Sequence, residues 1–449
     1  MYQIPIARKY ANEYLHENNH TIFFHVNHEL GDIIAFHNLV SHFFYKSVFI
    51  VIPYNISEFG TYEHGQRCEN CFKIYRDENR YYVYHNEKLV TETKSDIVAQ
   101  MRDLFISALR NISDDIGFKK ILILEDGGYH YSVFREIMGI FPGLEKNLVG
   151  CVEQTRNGLR SYFTFSEINP VNYPVVTVAR SKIKMRIESY FIAQSAAVIT
   201  NKFLELLGDS LVNSRVAVIG YGTIGRHLVE ILDTFRCRQW IIENDDFICK
   251  TALSEGRDCA VVMNKIIFEK DLIIIGTTGN ASFTKDMLEM FFQSKSELLT
   301  LVSISSKQTE FKYFFEISKQ YEYNVHDIQK KGRYLGKEYI FFIQRKIKKV
   351  RLFGDGYPIN FFCTWRPGIP LSVMDMIYAE MIYSIGIFFK SEISLRDTLY
   401  MIGDSIPCFE KIENKIFEEW ISMANEFAKK GRKNWINFHP CEEYLRYRI

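Results

Sequence analysis

The chain has 449 residues, 47% apolar, 15% aromatic and 24% charged, a composition that can bury a sizeable core and excludes wholesale disorder. Lys plus Arg (55) nearly cancels Asp plus Glu (54), so no basic field exists to hold a nucleic acid. The most apolar runs, Ser47–Pro53 and Leu272–Ile275, are far shorter than the roughly 20 residues of a spanning helix, Met1–Leu15 mixes charges where a signal peptide would be apolar, and the nine scattered cysteines do not form a secreted disulfide framework; a cytoplasmic protein without a membrane partner is expected.

At roughly 100 to 200 residues per domain, the length predicts two domains or three. Short β-branched or aromatic runs alternate with longer helical stretches, the pattern of a parallel sheet covered by helices. Strand ends are predicted at Phe23, Phe24 and Val26, at Val48–Ile52 and at Ile121–Leu124. Each opens into polar or Gly residues, where ligands sit in open α/β sheets. Residues Glu63–Leu89, dense in charge and Tyr, read as an irregular or hairpin insertion. Within it, Cys68 and Cys71 with His64 nearby read as ordinary thiols or, less simply, as half a zinc site or a redox pair. The apolar, Pro-free segment Phe191–Leu207 is predicted as a helix joining two domains, and a second α/β unit begins at Arg215.

The most specific local signal is Arg215-Val-Ala-Val-Ile-Gly220-Tyr221-Gly222-Thr223-Ile224-Gly225-Arg226, a buried strand running into a glycine-rich turn and an amphipathic helix. Gly220 permits the tight turn, Gly222 lets backbone approach a pyrophosphate, and Gly225 allows close helix packing. The next strand ends in Glu243, about twenty residues on, where a carboxylate accepts both ribose hydroxyls and repels a 2′-phosphate. NAD is therefore expected over NADP.

Six blocks in order resemble the S-adenosylhomocysteine hydrolase (adenosylhomocysteinase) family: His25-Val-Asn27-His-Glu29, Glu125-Asp126-Gly127-Gly128, Gly150-Cys-Val-Glu153-Gln154-Thr155-Arg156-Asn157-Gly158, Pro174 to Ser189, Thr277-Thr278-Gly279, and Gly368-Ile-Pro370-Leu-Ser-Val-Met374-Asp375. The resemblance implies two Rossmann-like doubly wound α/β domains and a short C-terminal arm. Residues 1–190, rejoined by 362–395, would bind substrate; 191–361 would bind NAD; 396–449 would form a helical arm. It further implies an enzyme that oxidises a nucleoside 3′-hydroxyl with bound NAD, so that elimination and addition become possible at C5′.

By position, Lys184 with Glu188 would handle the 3′-hydroxyl proton, as a lysine whose pKa is lowered can. His25 and Asp126 would manage protons near C4′ and C5′. Asn27, Glu29, Glu153, Gln154 and Met374 would hold the substrate. Besides the glycine-rich turn and Glu243, the cofactor would meet Thr155, Asn157, Thr277, Thr278, Gly279 and Asn360; no metal is implied. The family's tetramer implies a homo-oligomer closed by the chain's ending, here Phe438-His439-Pro440-Cys-Glu-Glu-Tyr444-Leu-Arg446-Tyr447, only an approximate match. Departures accompany the matches: Gln154 replaces an acid, Ala179 an Asn, Ile369 a His, and no histidine lies between His227 and His326. A pocket built for hydrogen bonds loses affinity when its partners change. A changed nucleoside substrate and a non-catalytic NAD-binding relative acting in regulation or protein interaction both remain open.

Overall fold

The computed structural model describes residues 3–53, 68–77, 80–116, 119–169, 171–263, 265–305, 308–362, 368–390, 395–396, 398–402 and 407–430. The chain divides into two compact units. Among the described residues, the first comprises those up to 185 and from 370 onward, and the second those from 186 to 369.

In chain order the first unit opens with α1 (Pro5–Tyr14), β1 (Asn18–Asn27), α2 (Gly31–Ser41) and β2 (Phe44–Val51), then β3 (Cys71–Asp77), β4 (Arg80–His85) and β5 (Lys88–Thr93). It continues through α3 (Ile97–Asn111), α4 (Ser113–Ile116), β6 (Lys120–Glu125), α5 (Tyr129–Ile140), β7 (Leu148–Glu153), α6 (Arg156–Ser166) and β8 (Val175–Thr177). β1 is fully buried over its last seven residues, as a strand covered on both faces must be. Alternate residues serve opposite faces: Ile22, Phe24 and Val26 pack into one core with Phe105, Ile121 and Phe134, which leaves Phe23, His25 and Asn27 on the other. Asp96 starts α3 by accepting the amides of Val98 and Ala99, both at 3.0 Å.

The second unit contains α7 (Ser189–Leu206), β9 (Arg215–Ile219), α8 (Thr223–Thr234), β10 (Arg238–Ile242), α9 (Asp246–Ser254), β11 (Cys259–Ala260), β12 (Leu272–Gly276), α10 (Lys285–Gln293), β13 (Leu298–Ser303), α11 (Lys312–Ser318), β14 (Tyr323–Lys330), β15 (Arg333–Ile343) and β16 (Lys346–Phe353). Its sheet runs β11-β10-β9-β12-β13-β16-β15-β14, parallel from β11 to β16 and antiparallel beyond. Val216, Val218, Ile273 and Ile275 fill the core on one face, Ala217, Ile219, Leu272 and Ile274 that on the other. β9 is flanked by β10 and β12, so the strand order reverses there and the loops after β9 and β12 diverge into a crevice.

The chain then returns to the first unit with α12 (Leu371–Ile387), buried along its whole length, the strand β17 (Leu399–Met401) and α13 (Pro407–Lys430). The first sheet is ordered β17-β8-β7-β6-β1-β2-β3-β4-β5, parallel from β17 to β3. The tyrosine-rich insertion is thus a meander, β3-β4-β5, that extends the sheet from β2. Strand Leu399–Met401 pairs with β8, so this part of the segment expected as an arm is sheet edge. The C-terminal motif from Phe438 to Tyr447 and His64 lie outside the described residues. None of the described helices is long and apolar enough to cross a membrane.

Candidate functional site

In the first unit β1 lies between β2 and β6, a second switch point, and the polar residues of the sequence motifs stand at its carboxyl edge. The ladder sets them in rows. Val26, Glu125 and Glu153 pair in register, followed by Thr177. One residue further on, the amide of Asp126 donates to Val26 O, that of Gln154 to Glu125 O and that of Val178 to Glu153 O. Asn27 and Gln154 meet here, Asn27 Nδ2 donating to Gln154 Oε1 at 3.0 Å. Asn27 Nδ2 also lies 3.3 Å from His25 Nε2, and His25 Nδ1 lies 3.3 Å from Nδ1 of His37 on α2. Both histidines are sealed among aromatic rings, and burial holds His25 well below the usual imidazole range and His37 at about 3.

Beneath this edge the carboxylates are braced. Glu125 accepts the His130 amide at 3.0 Å and pairs with His130 Nδ1, and Tyr173 Oη lies 2.9 Å from His130 Nε2. Cys151 stands close enough to join Glu125 and His130 in a metal-ligand triad, yet both ring nitrogens of His130 are already bonded within the protein. Glu153 Oε1 accepts from the amide and hydroxyl of Thr155 at 2.7 and 2.9 Å and from Gly127 N at 3.3 Å. Burial, with Glu125 adding, raises its pKa well above the carboxylate range. Only its Oε2 has no hydrogen-bond partner. Gly158 is required here, since a Cβ would sit 1.9 Å from the Glu153 carboxyl carbon. Thr155, expected at the nicotinamide, caps α6 by accepting Gly158 N at 3.1 Å, and Asn157 donates to Gly127 O at 3.3 Å.

The remaining substrate-side residues lie on other elements of the chain. Glu29 reaches Lys73 of β3 at 3.5 Å, and Lys73 is shared with Glu87. Met374 is buried on α12. Lys184 and Glu188 share a six-residue π-helix, Ile183–Glu188, rather than an α-helix or strand. Lys184 is buried, 9% exposed.

The second unit's turn is built for a close ligand. Gly220 has φ +100°, and a Cβ there would come 2.8 Å from Thr277 Oγ1. A Cβ on Gly225 would lie 2.1 Å from Gly220 O, so glycine is what lets α8 pack on the turn. At Gly222 a Cβ would meet nothing within 4 Å. That open space faces a helix start with no side-chain cap, the arrangement that receives a phosphate. Glu243 ends β10 with Oε2 accepting Tyr221 N at 2.7 Å and Oε1 accepting Asp245 N at 3.0 Å; each oxygen keeps a further lone pair for a hydroxyl.

Thr277 Oγ1 ties β12 to the turn, donating to Ile219 O and Gly220 O at 3.1 and 3.0 Å. Next to it is a residue the motifs did not reveal, Glu310. Fully buried, it accepts from Thr278 Oγ1 at 3.1 Å, Gly279 N at 2.6 Å and the hydroxyls of Ser282 and Ser305. Thr278 and Gly279 therefore form a loop held rigid by this carboxylate. A bridge between Ser303 and Pro358 brings Asn360 to the carboxyl edge beside β13. Asn360 is 3% exposed and its Oδ1 has no hydrogen-bond partner, an acceptor that the carboxamide of a nicotinamide would satisfy. A glycine cradle, a carboxylate at the end of the next strand and an orphaned buried acceptor together fit NAD.

No family model matches the chain. Among curated proteins it is 21% identical over 292 residues to the adenosylhomocysteinase of Sulfolobus acidocaldarius, a match covering 65% of each chain. It is 24% identical over 293 residues to the adenosylhomocysteinase of Thermotoga maritima, covering 64% of this chain and 66% of that one. With the S-inosyl-L-homocysteine hydrolase of Methanopyrus kandleri it shares 22% identity over 300 residues, 66% of this chain and 65% of that protein. The matches thus span just under two thirds of these relatives' length.

Proposed function

From the premise that the chain is a diverged relative of the adenosylhomocysteinases, we propose that it is an NAD-dependent enzyme acting on a 5′-substituted purine nucleoside such as an S-nucleosyl homocysteine. The relatives named for adenosyl and for inosyl substrates both suit a purine. Bound NAD supplies reversible hydride acceptance from C3′, which acidifies C4′–H so that the 5′ substituent can leave and water can add.

The observation that carries the cofactor is the coincidence of the Gly220–Gly225 turn, Glu243 and the unpartnered Asn360 Oδ1 in one unit. In this reading Glu243 binds the ribose hydroxyls and Asn360 orients the nicotinamide carboxamide, while Thr277 and the loop clamped by Glu310 hold the backbone beside it. Asn27 and Gln154, two amides in one hydrogen-bonded pair, suit neutral hydroxyls rather than a charged group. His25 and Asp126 manage protons near C4′ and C5′, and Lys184 with Glu188 serves the 3′-hydroxyl.

The test compares two lysines two residues apart. Lys184→Ala should abolish nucleoside-driven formation of reduced nicotinamide, at least about 100-fold, while NAD stays bound. Lys182→Ala, whose backbone amide is already held by Glu413 at 2.5 Å, should change the rate little. Unaltered rates in both would remove Lys184 from the redox step. A second reading, a non-catalytic relative, is favoured by one observation: His25 is fully buried with both ring nitrogens in contact with protein groups. In that case no nucleoside would reduce the bound NAD of the unaltered protein.

A further inference from the structure

The contact between His25 and His37 has a definite sense, which the orientation of Asn27 shows. Asn27 Oδ1 accepts the amide of His28 at 2.8 Å, which fixes which way the carboxamide faces. Its Nδ2 therefore carries the two hydrogens, one directed to Gln154 Oε1 at 3.0 Å and one to His25 Nε2 at 3.3 Å. A donor in that position requires a lone pair on His25 Nε2. The surroundings of His25 are aromatic, Phe23, Phe36 and Phe49 lying 5.8, 5.6 and 5.1 Å away between ring centroids, so the neutral ring is the stable one and it has a single proton to place. With Nε2 unprotonated, the proton is on Nδ1, and the group it meets is His37 Nδ1 at 3.3 Å. His37 must then accept, which puts its own proton on Nε2. The chain of bonds runs in one direction: Asn27 donates to His25, and His25 donates to His37.

We propose that His37 is a positioning residue that holds His25 in its Nδ1–H tautomer, with the Nε2 lone pair presented to the row of Asn27 and Gln154. The catalytic part of this rests on the function proposed above; the tautomer does not. Histidine ordinarily favours the other tautomer in water, and the identity of the partner on one nitrogen decides what the other can do. A carboxylate at the place of His37 would orient the ring equally well, but it would also stabilise the imidazolium and keep His25 protonated. A neutral acceptor orients without that effect, so Nε2 stays unprotonated and takes a proton once the 3.3 Å Asn27 contact gives way. When it does, Nδ1–H still donates to His37, and the transient cation keeps one hydrogen bond in an otherwise apolar box.

The sequence offered no sign of this pair. His37 lies twelve residues after His25, on a different element, and is separated from every block that resembles the family. Only the packing of α2 against β1 brings the two rings together.

The test is ring-nitrogen NMR on the full chain labelled at histidine, with the His25 signals among the twelve histidines identified by their loss in His25→Ala. The unaltered protein should show His25 protonated at Nδ1 and bare at Nε2. His37→Leu, which leaves Nδ1–H without an acceptor in an apolar box, should move the proton to Nε2 at the expense of the Asn27 contact, at 3.3 Å the longer of that amide's two bonds, and His37→Asn, whose amide oxygen falls near the position of Nδ1, should restore the original state. Adenosine-driven reduction of bound NAD should fall about 100-fold in His37→Leu, in kcat rather than KM, and recover at least in part in His37→Asn. His25 found protonated at Nε2 in the unaltered protein would overturn the proposal. So would a His37→Leu variant whose tautomer is unchanged, or one whose tautomer changes while the rate does not. If His37→Leu does not fold, the tautomer of the unaltered protein and that of His37→Asn still decide. Should no nucleoside reduce NAD at all, the functional reading fails while the tautomer measurement remains decisive for the pair.

Discussion

Three glycines of one turn have separate jobs, and their substitutions should separate accordingly. Gly225→Ala places a Cβ 2.1 Å from a backbone oxygen that cannot move without reshaping the turn, so it should destabilise the second unit by about 1–3 kcal/mol. Gly222→Ala meets no protein atom within 4 Å and should leave stability unchanged, yet it should weaken NAD about tenfold or more because the space it fills is the pyrophosphate's. Thermal unfolding of the protein stripped of nucleotide, read beside NAD titration, distinguishes the two. Equal loss of stability in both variants would mean that the turn is merely tight. The geometry of the turn was legible in the sequence because the glycine spacing, the strand before it and the helix after it are all local. Glu310 was not. Its partners Thr278 and Gly279 lie 32 and 31 residues away, and an acid before a Phe has no local signature. The same holds for His130, whose contact with Glu125 depends on the left-handed turn at Gly127 and Gly128.

Among the elements, α1 shows how a distant residue can complete a helix. Ile4 stands at its N-cap and offers no side-chain bond, leaving orphan amides that Asp375, on α12, accepts from Ile6 and Ala7 at 2.9 and 2.8 Å. The sequence places Asp375 in a block resembling a substrate motif; the structure gives it this capping role, 369 residues from its partner. Burial raises its pKa from 3.8 to about 7, a shift the two amide bonds only partly oppose. Because the folded value lies above the unfolded one, this group's contribution to stability is full below about pH 4 and is lost as pH rises towards 7. Asp375→Asn, which cannot ionise, lacks that loss. The stability advantage of the unaltered protein over Asp375→Asn should therefore shrink between pH 4 and 7 in denaturant titrations, and an advantage that grows over that range would show the carboxylate to be charged in the fold. Periodicity gave good predictions for β1, β2, β6 and the long helix α7, which are single-purpose apolar runs. It missed the π-helix at Ile183–Glu188, because a widened turn arises from packing and carries no sequence period of its own.

For the whole molecule, each unit has its own switch point with polar or glycine residues near strand carboxyl ends: His25, Asn27, Asp126 and Gln154 in one, the glycine turn, Glu243, Thr277 and Asn360 in the other. The proposed function is a redox-assisted reaction on a nucleoside that depends on bound NAD. Its most direct test is to purify the protein, release and identify its bound nucleotide, and follow reduced nicotinamide as purine nucleosides are added one at a time. NAD rather than NADP is expected, with its reduction by adenosine or inosine and none by the matching 3′-deoxynucleoside. Bound NAD that no nucleoside bearing a 3′-hydroxyl can reduce would contradict it.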